Sequence, residues 1–171
     1  VVTCSDGSLR LYYSRNEYGC IQYTESFDGG KTWQGMYPVP ELQCAKSSFS
    51  VYADPYEEGT YYMVLVNDSP AYLNDLQYRN RLSLAKSTDG KNWEFLMDID
   101  RMSPVASLKT GSVHQILDPS LYVSEDYIYV SYGRSDEQYG PGAVATHNEQ
   151  RAQMVRVAKD QLTVRPWDDA T

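Results

Sequence analysis

At 171 residues the chain is long enough for one ordinary domain with a real core, and a hydrophobic content of 42% excludes a disordered chain. A net charge of −8 excludes the basic field that nucleic acid or an anionic membrane requires, and no apolar run approaches the roughly 20 residues of a membrane span. The 16 Tyr and 3 Trp fit strands first and a sugar-binding surface second.

In chain order, residues 1 to 5 predict a short strand and Asp6-Gly7 a two-residue turn. Leu9, Leu11 and Tyr13 alternate with Arg10, Tyr12 and Ser14, the period of a half-buried strand. Asn16-Glu17-Tyr18-Gly19 turns the chain, Cys20 to Glu25 runs back, and Trp33 starts a fourth strand. Residues 1–40 thus form a unit of four antiparallel strands. A second unit, 47–97, repeats the plan with strands at Phe49 to Ala53, Thr60 to Val66, Arg81 to Lys86 and Trp93 to Met97. Its long polar loop runs from Asn67 to Asn80. A third, 113–167, has Leu121 to Ser124, Tyr127 to Tyr132, a loop from Gly133 to Gln150, and Ala152 to Ala158. No stretch has helical spacing, and Gly, Pro and Asx signals recur at strand-length intervals, so the fold is all-β.

The turn between the third and fourth strands carries a pattern. It reads Ser26-Phe27-Asp28-Gly29-Gly30-Lys31-Thr32-Trp33, and a worn copy returns as Ser87-Thr88-Asp89-Gly90-Lys91-Asn92-Trp93. Ser and Asp supply short acceptors for the turn's own backbone, Gly supplies positive φ, and Trp covers the turn with an apolar face. In the third unit Lys159-Asp160-Gln161 stands in this place, and only Asp160 and Trp167 remain of the pattern.

This eight-residue pattern, Ser-x-Asp-x-Gly-x-Thr-Trp, resembles the Asp-box (BNR repeat) of sialidases and related β-propellers. The second copy is one residue shorter and has Asn92 in place of Thr. The resemblance implies propeller blades of four antiparallel strands, about three of them here, belonging to a larger, six-bladed ring. Three blades do not close a ring, so the remaining blades are expected as partners. In that family the box braces the rear rim, away from the active site. The opposite, front face then receives Asn16 to Gly19, Asn67 to Asn80 and Gly133 to Gln150, with the linkers 34–48 and 98–118.

The front loops hold carboxylates, arginines and tyrosines, the groups that glycoside cleavage uses. They also fit ordinary solvated loop residues. The resemblance implies a sialidase-like glycoside hydrolase acting on terminal sugars such as sialic acid, extracellular or periplasmic. Its catalytic groups on this sequence would be Asp118 as acid/base, with Tyr139 and Glu137 as nucleophile pair. Arg79, Arg134, Tyr78 and Asp136 would bind the substrate. His114 followed by Tyr132-Gly133-Arg134 is similar to a sialidase segment, with the Arg one residue early.

Leu117-Asp118-Pro119-Ser120-Leu121-Tyr122 is also similar to the blade openings of five-bladed furanosidases such as arabinanases and xylosidases, in which Asp118 would be one catalytic carboxylate. Alternatively, Asp118 caps a strand-entry turn. A third alternative is a non-catalytic propeller that binds glycans or proteins. His114 and His147 lack metal-ligand spacing, and no glycine loop cradles a phosphate, so neither a metal nor a cofactor is expected. The three cysteines are expected as free, mostly buried thiols.

Overall fold

A computed structural model of the chain describes residues 1–14, 19–44, 48–67, 81–101, 112–138 and 150–167. Three antiparallel sheets follow one another along the chain. The first holds β1 (Val2–Thr3), β2 (Leu9–Ser14), β3 (Ile21–Ser26) and β4 (Gln34–Val39), each paired with the next. The second repeats this order with β5 (Phe49–Ala53), β6 (Tyr61–Val66), β7 (Arg81–Ser87) and β8 (Glu94–Arg101). The third has β9 (Ser112–Val123), β10 (Tyr127–Gln138) and β11 (Gln150–Ala158). Across sheets, β1 lies beside β5 and β5 beside β9, so the first strands share an axis. These are three blades of a β-propeller.

Burial explains the stacking. Strand β6 is buried at all six positions, because both its faces are covered. Tyr61, Met63 and Leu65 join Tyr12, Ile21, Tyr23 and Val39 in a core between blades 1 and 2. Tyr62, Val64 and Val66 join Leu121, Val123, Ile128 and Val130 in a second core between blades 2 and 3. The free face of blade 3 carries Tyr122, 54% exposed, and Met154, 75% exposed, with Tyr122 beside Tyr129 and Arg156 over Tyr127.

Both Ser-x-Asp turns are braced by their own side chains. Gly30 N–H donates to Ser26 Oγ, while the amide and hydroxyl of Thr32 donate to the Asp28 carboxylate at 2.9 and 2.6 Å. In the second copy the amides of Lys91 and Asn92 donate to Asp89 Oδ1, and Asn92 Nδ2 donates to Oδ2 at 2.7 Å. Asn92 therefore supplies the side-chain donor that Thr32 supplies in the first. The Thr32 hydrogen bonds hold the Asp28 carboxyl down at about 2. Partial burial works against ionisation of Asp89, but the donors from Asn92 and Lys91 outweigh it and hold that carboxyl at about 2 as well.

The two tryptophans have different surroundings. Trp93 is 4% exposed, with its ring edge-on to Tyr12 and its carbonyl accepting from Trp167 Nε1. Trp33 is 37% exposed and donates Nε1 to Gly30 O. Trp93 has blade 1 stacked against it, and blade 1 has no neighbour on its far side among the described residues.

Clamps at the rims join the blades. At the rear, Arg10 of blade 1 donates to Asp89 O at 2.8 Å and to Glu25 Oε1 at 2.8 Å, and the Tyr12 phenol donates to Gly90 O. Between blades 2 and 3, Lys159 meets the buried Asp54 carboxylate at 2.6 Å and lies over the Tyr62 ring.

Blade 3 departs from the sequence expectation in three respects. Strand β9 begins earlier and β10 ends later than predicted, so Gly133–Gln138, expected in a loop, pairs with Ser112–Leu117. That stretch is polar and lacks alternation; its backbone pairing, invisible to side-chain pattern, makes it a strand. Lys159–Gln161 forms a 3-10 turn, and the chain then crosses to blade 2, where Arg165 N–H donates to Phe95 O and Trp167 packs on Phe95. No disulfide joins Cys4, Cys20 and Cys44, and the last two are buried.

Gly90 has φ +66, and a Cβ there would lie 2.2 Å from Arg10 Nη1, whereas Gly29, φ +73, faces open space. Both alanine substitutions store left-handed strain, about 1 kcal/mol, but Gly90→Ala also breaks the Arg10 clamp and is expected to cost about 3 kcal/mol in total. Urea unfolding of the two variants tests this, and equal losses would remove the clamp from the account.

Candidate functional site

The end of the sheets opposite the Ser-x-Asp turns collects the start of β5, the end of β6, the start of β7, the end of β8, the start of β9 and the end of β10. One residue there stands apart. Asp118 lies midway along β9, where pairing with β10 slips between Ser131 and Gly133. Its φ is 47°, the one left-handed non-glycine among the described residues. Pro119 follows, and a proline disfavours helical conformations in the residue before it. Asp tolerates the left-handed region better than most side chains, at a cost of about 1 to 3 kcal/mol.

The neighbouring blade supplies the support for Asp118. Ser48, just before β5, donates its hydroxyl to Asp118 Oδ1 at 3.0 Å, and Leu121 N–H donates to Ser50 Oγ at 3.2 Å. The first strands of blades 2 and 3 are thus tied at Asp118 and again at Leu121. The carboxylate itself is exposed. Such a group can give or take a proton, or accept from a sugar hydroxyl.

Several other polar groups at this end, among the described residues, are engaged with protein partners. Arg134 Nη1 meets both oxygens of Asp100 at 3.0 and 3.1 Å, and the Tyr132 phenol donates to Asp100 Oδ2 at 2.9 Å. Burial, then the bond to Asp100, pushes the Tyr132 phenol up to about 12, so it stays protonated. This trio joins β10 of blade 3 to β8 of blade 2. On the other face of β8, Arg81 Nε and Ser83 Oγ both donate to Asp98 Oδ1 at 2.8 Å, and Arg101 Nε donates to Oδ2 at 3.2 Å.

Of the residues expected from sequence, Asp118 and Arg134 are described with their side chains. They are not brought together: Arg134 pairs with Ile116 and turns to Asp100, whereas Asp118 accepts from Ser48. Asp136 and Glu137 were expected in a loop but belong to β10, opposite His114 and Val113. Tyr78, Arg79 and Tyr139 lie outside the described residues. Sequence reading missed Ser48, Asp98 and Asp100. Asp98-Ile99-Asp100-Arg101 does carry a signal, a charged tail on a strand that is otherwise apolar.

No family model matches the chain, and neither does any curated protein. Solved structures share its fold. An α-L-arabinanase from Penicillium chrysogenum, complexed with arabinobiose, superposes with a TM-score of 0.56 at 15% identity, over 78% of this chain and 39% of that one. A family GH93 α-L-arabinofuranosidase from Fusarium graminearum, also with arabinobiose, gives 0.54 at 16% identity over 78% and 39%. A PL25 ulvan lyase bound to -[GlcA(1-4)Rha3S]- gives 0.52 at 12% identity over 95% and 41%. The chain spans about two-fifths of the length of each.

If Asp118 is held in strain, the usual order of Ala and Gly in a strand reverses there. Asp118→Ala keeps the strain and loses the Ser48 bond, whereas Asp118→Gly loses the bond and sheds the strain. The Gly variant is expected to be more stable than the Ala variant by about 1 kcal/mol in urea unfolding. Ala being the more stable of the two would refute the strain.

Proposed function

We propose that this chain is part of a propeller glycoside hydrolase of the α-L-arabinofuranosidase or arabinanase type, with Asp118 as one of its two catalytic carboxyls. The observation that carries this reading is an exposed, strained carboxylate on an innermost strand, at the end of the blades away from the braced turns. Strain concentrates where function requires it. Neighbours that carry arabinobiose support the furanoside over sialic acid as substrate.

Cleavage of a glycoside needs a second carboxyl across the scissile bond. Asp98 and Asp100 are engaged by arginines and belong to the outermost strand of blade 2. The second group then comes from Glu137 or Asp136 on the β9–β10 hairpin, or from further blades. Such blades would also cover the free face of blade 3 with Tyr122 and Met154. Tyr78, Arg79 and Tyr139 remain candidate substrate contacts on the front loops.

A second reading, a sialidase-type enzyme, draws on the Ser26–Trp33 and Ser87–Trp93 turns, whose bracing fits an Asp-box. In that reading Tyr139 with Glu137 forms the nucleophile pair and Arg134 contacts the sugar carboxylate.

Assay of the intact protein on an aryl α-L-arabinofuranoside and on arabinan separates these readings. Release of arabinose or arabinobiose is expected, with kcat falling about 10³-fold in Asp118→Asn while KM changes little. Hydrolysis of a sialoside alone would move the assignment to the second reading. Cleavage of neither substrate, or an unimpaired Asp118→Asn variant, would overturn the role given to Asp118.

A further inference from the structure

The register slip in blade 3 has a defined form. Leu117 pairs with Gly133 and Ser120 with Ser131, so Asp118 and Pro119 together face the single residue Tyr132. This is a β-bulge, in which two residues of one strand oppose one of its partner, and a left-handed first position in such a bulge ordinarily holds glycine. Here Asp118 fills it, at φ 47°. Bulges re-aim a side chain out of the alternation of its strand.

The re-aimed carboxylate is held at one oxygen. Ser48 Oγ donates to Asp118 Oδ1 at 3.0 Å, and among the described residues Oδ2 meets no donor. The donor is in turn fixed by its own backbone. Val66 N–H donates to Ser48 O at 3.2 Å, which ties Ser48 to the end of β6, the strand buried at all six positions. Ser50, two residues on, accepts from Leu121 N–H at 3.2 Å and so holds the backbone of β9 rather than the carboxylate. A hydroxyl on a rigid strand, bonded to one oxygen of a carboxylate on a bulge, keeps that carboxylate in one orientation.

We infer that Ser48 is a positioning residue for the reaction: by holding Oδ1 it presents Oδ2 of Asp118 to the glycoside. This role rests on the proposed hydrolase and deepens it, since it assigns the oxygen that meets the substrate and the residue that orients it. It also places the reacting group across the seam of blades 2 and 3, with the carboxylate on one blade and its holder on the other. An unheld Asp side chain turns about two torsions and spreads its oxygens over several directions. One hydrogen bond at Oδ1 removes most of that freedom before substrate arrives. Loss of the bond therefore acts on turnover more than on substrate affinity.

Kinetics of the intact protein and its variants on the aryl α-L-arabinofuranoside test it. Ser48→Ala is expected to lower kcat about 10- to 100-fold with little change in KM, whereas Ser48→Thr, which keeps the hydroxyl, stays within about threefold of the parent. Ser50→Ala removes the neighbouring tie between the same two blades, and is expected to lower kcat by less than about threefold. If Ser48 acts only through Asp118, adding Ser48→Ala to Asp118→Asn costs nothing further. A Ser48→Ala variant with the parent's kcat, beside an inactive Asp118→Asn, would remove Ser48 and leave the hydrolase reading standing. Equal losses in Ser48→Ala and Ser50→Ala, or additive losses in the double variant, would make the part of Ser48 merely structural and overturn the role. No cleavage by the parent, or an unimpaired Asp118→Asn, would overturn the reading of Asp118 and the role of Ser48 together.

Discussion

Strand β6 has no polar face, and that constraint arranges the molecule. A strand with Tyr61, Met63 and Leu65 on one side and Tyr62, Val64 and Val66 on the other cannot present either side to water. It needs a sheet against each face, and blades 1 and 3 provide them. The first strands then fall side by side, and the hairpin ends separate into two rims. Stacked sheets with aligned ends are a direct outcome of burying one strand twice.

Hydrophobic stacking sets distance but not rotation, and the polar clamps supply the rest. Arg10 and Tyr12 reach the Asp89 and Gly90 carbonyls at the rear of blades 1 and 2. Lys159 reaches Asp54 at the rear of blades 2 and 3, and Arg134 with Tyr132 reaches Asp100 at the front. Arg10, Lys159, Asp54, Arg134 and Asp100 are thereby committed to holding blades together. Against that background an exposed aspartate with a left-handed backbone is conspicuous.

Much of blades 1 and 2 was legible in the sequence. Alternation in Leu9–Ser14 and the β-branched, aromatic run before Asn67 announced strands, and Ser26-Phe27-Asp28-Gly29 announced a turn by its own hydrogen-bonding groups. Blade 3 was less legible. The outer half of β10, Gly133 to Gln138, is polar and offers no hydrophobic period to read, although it pairs with Ser112 to Leu117 of β9. Trp167 was read as a remnant of a third turn and instead covers Phe95 in blade 2, a long-range contact that local pattern cannot encode. Asp118 was legible as a residue type before a proline. Its strain was not, since φ depends on the register slip beside it.

Charge placed on either face of β6 tests the double burial most directly. Val64 and Leu65 are adjacent in sequence and belong to different cores. The account predicts that Val64→Asp and Leu65→Asp each abolish the cooperative thermal unfolding transition followed by circular dichroism. If one of the two melted like the parent, one face of β6 would be open to water, and the stacking of three blades would be contradicted.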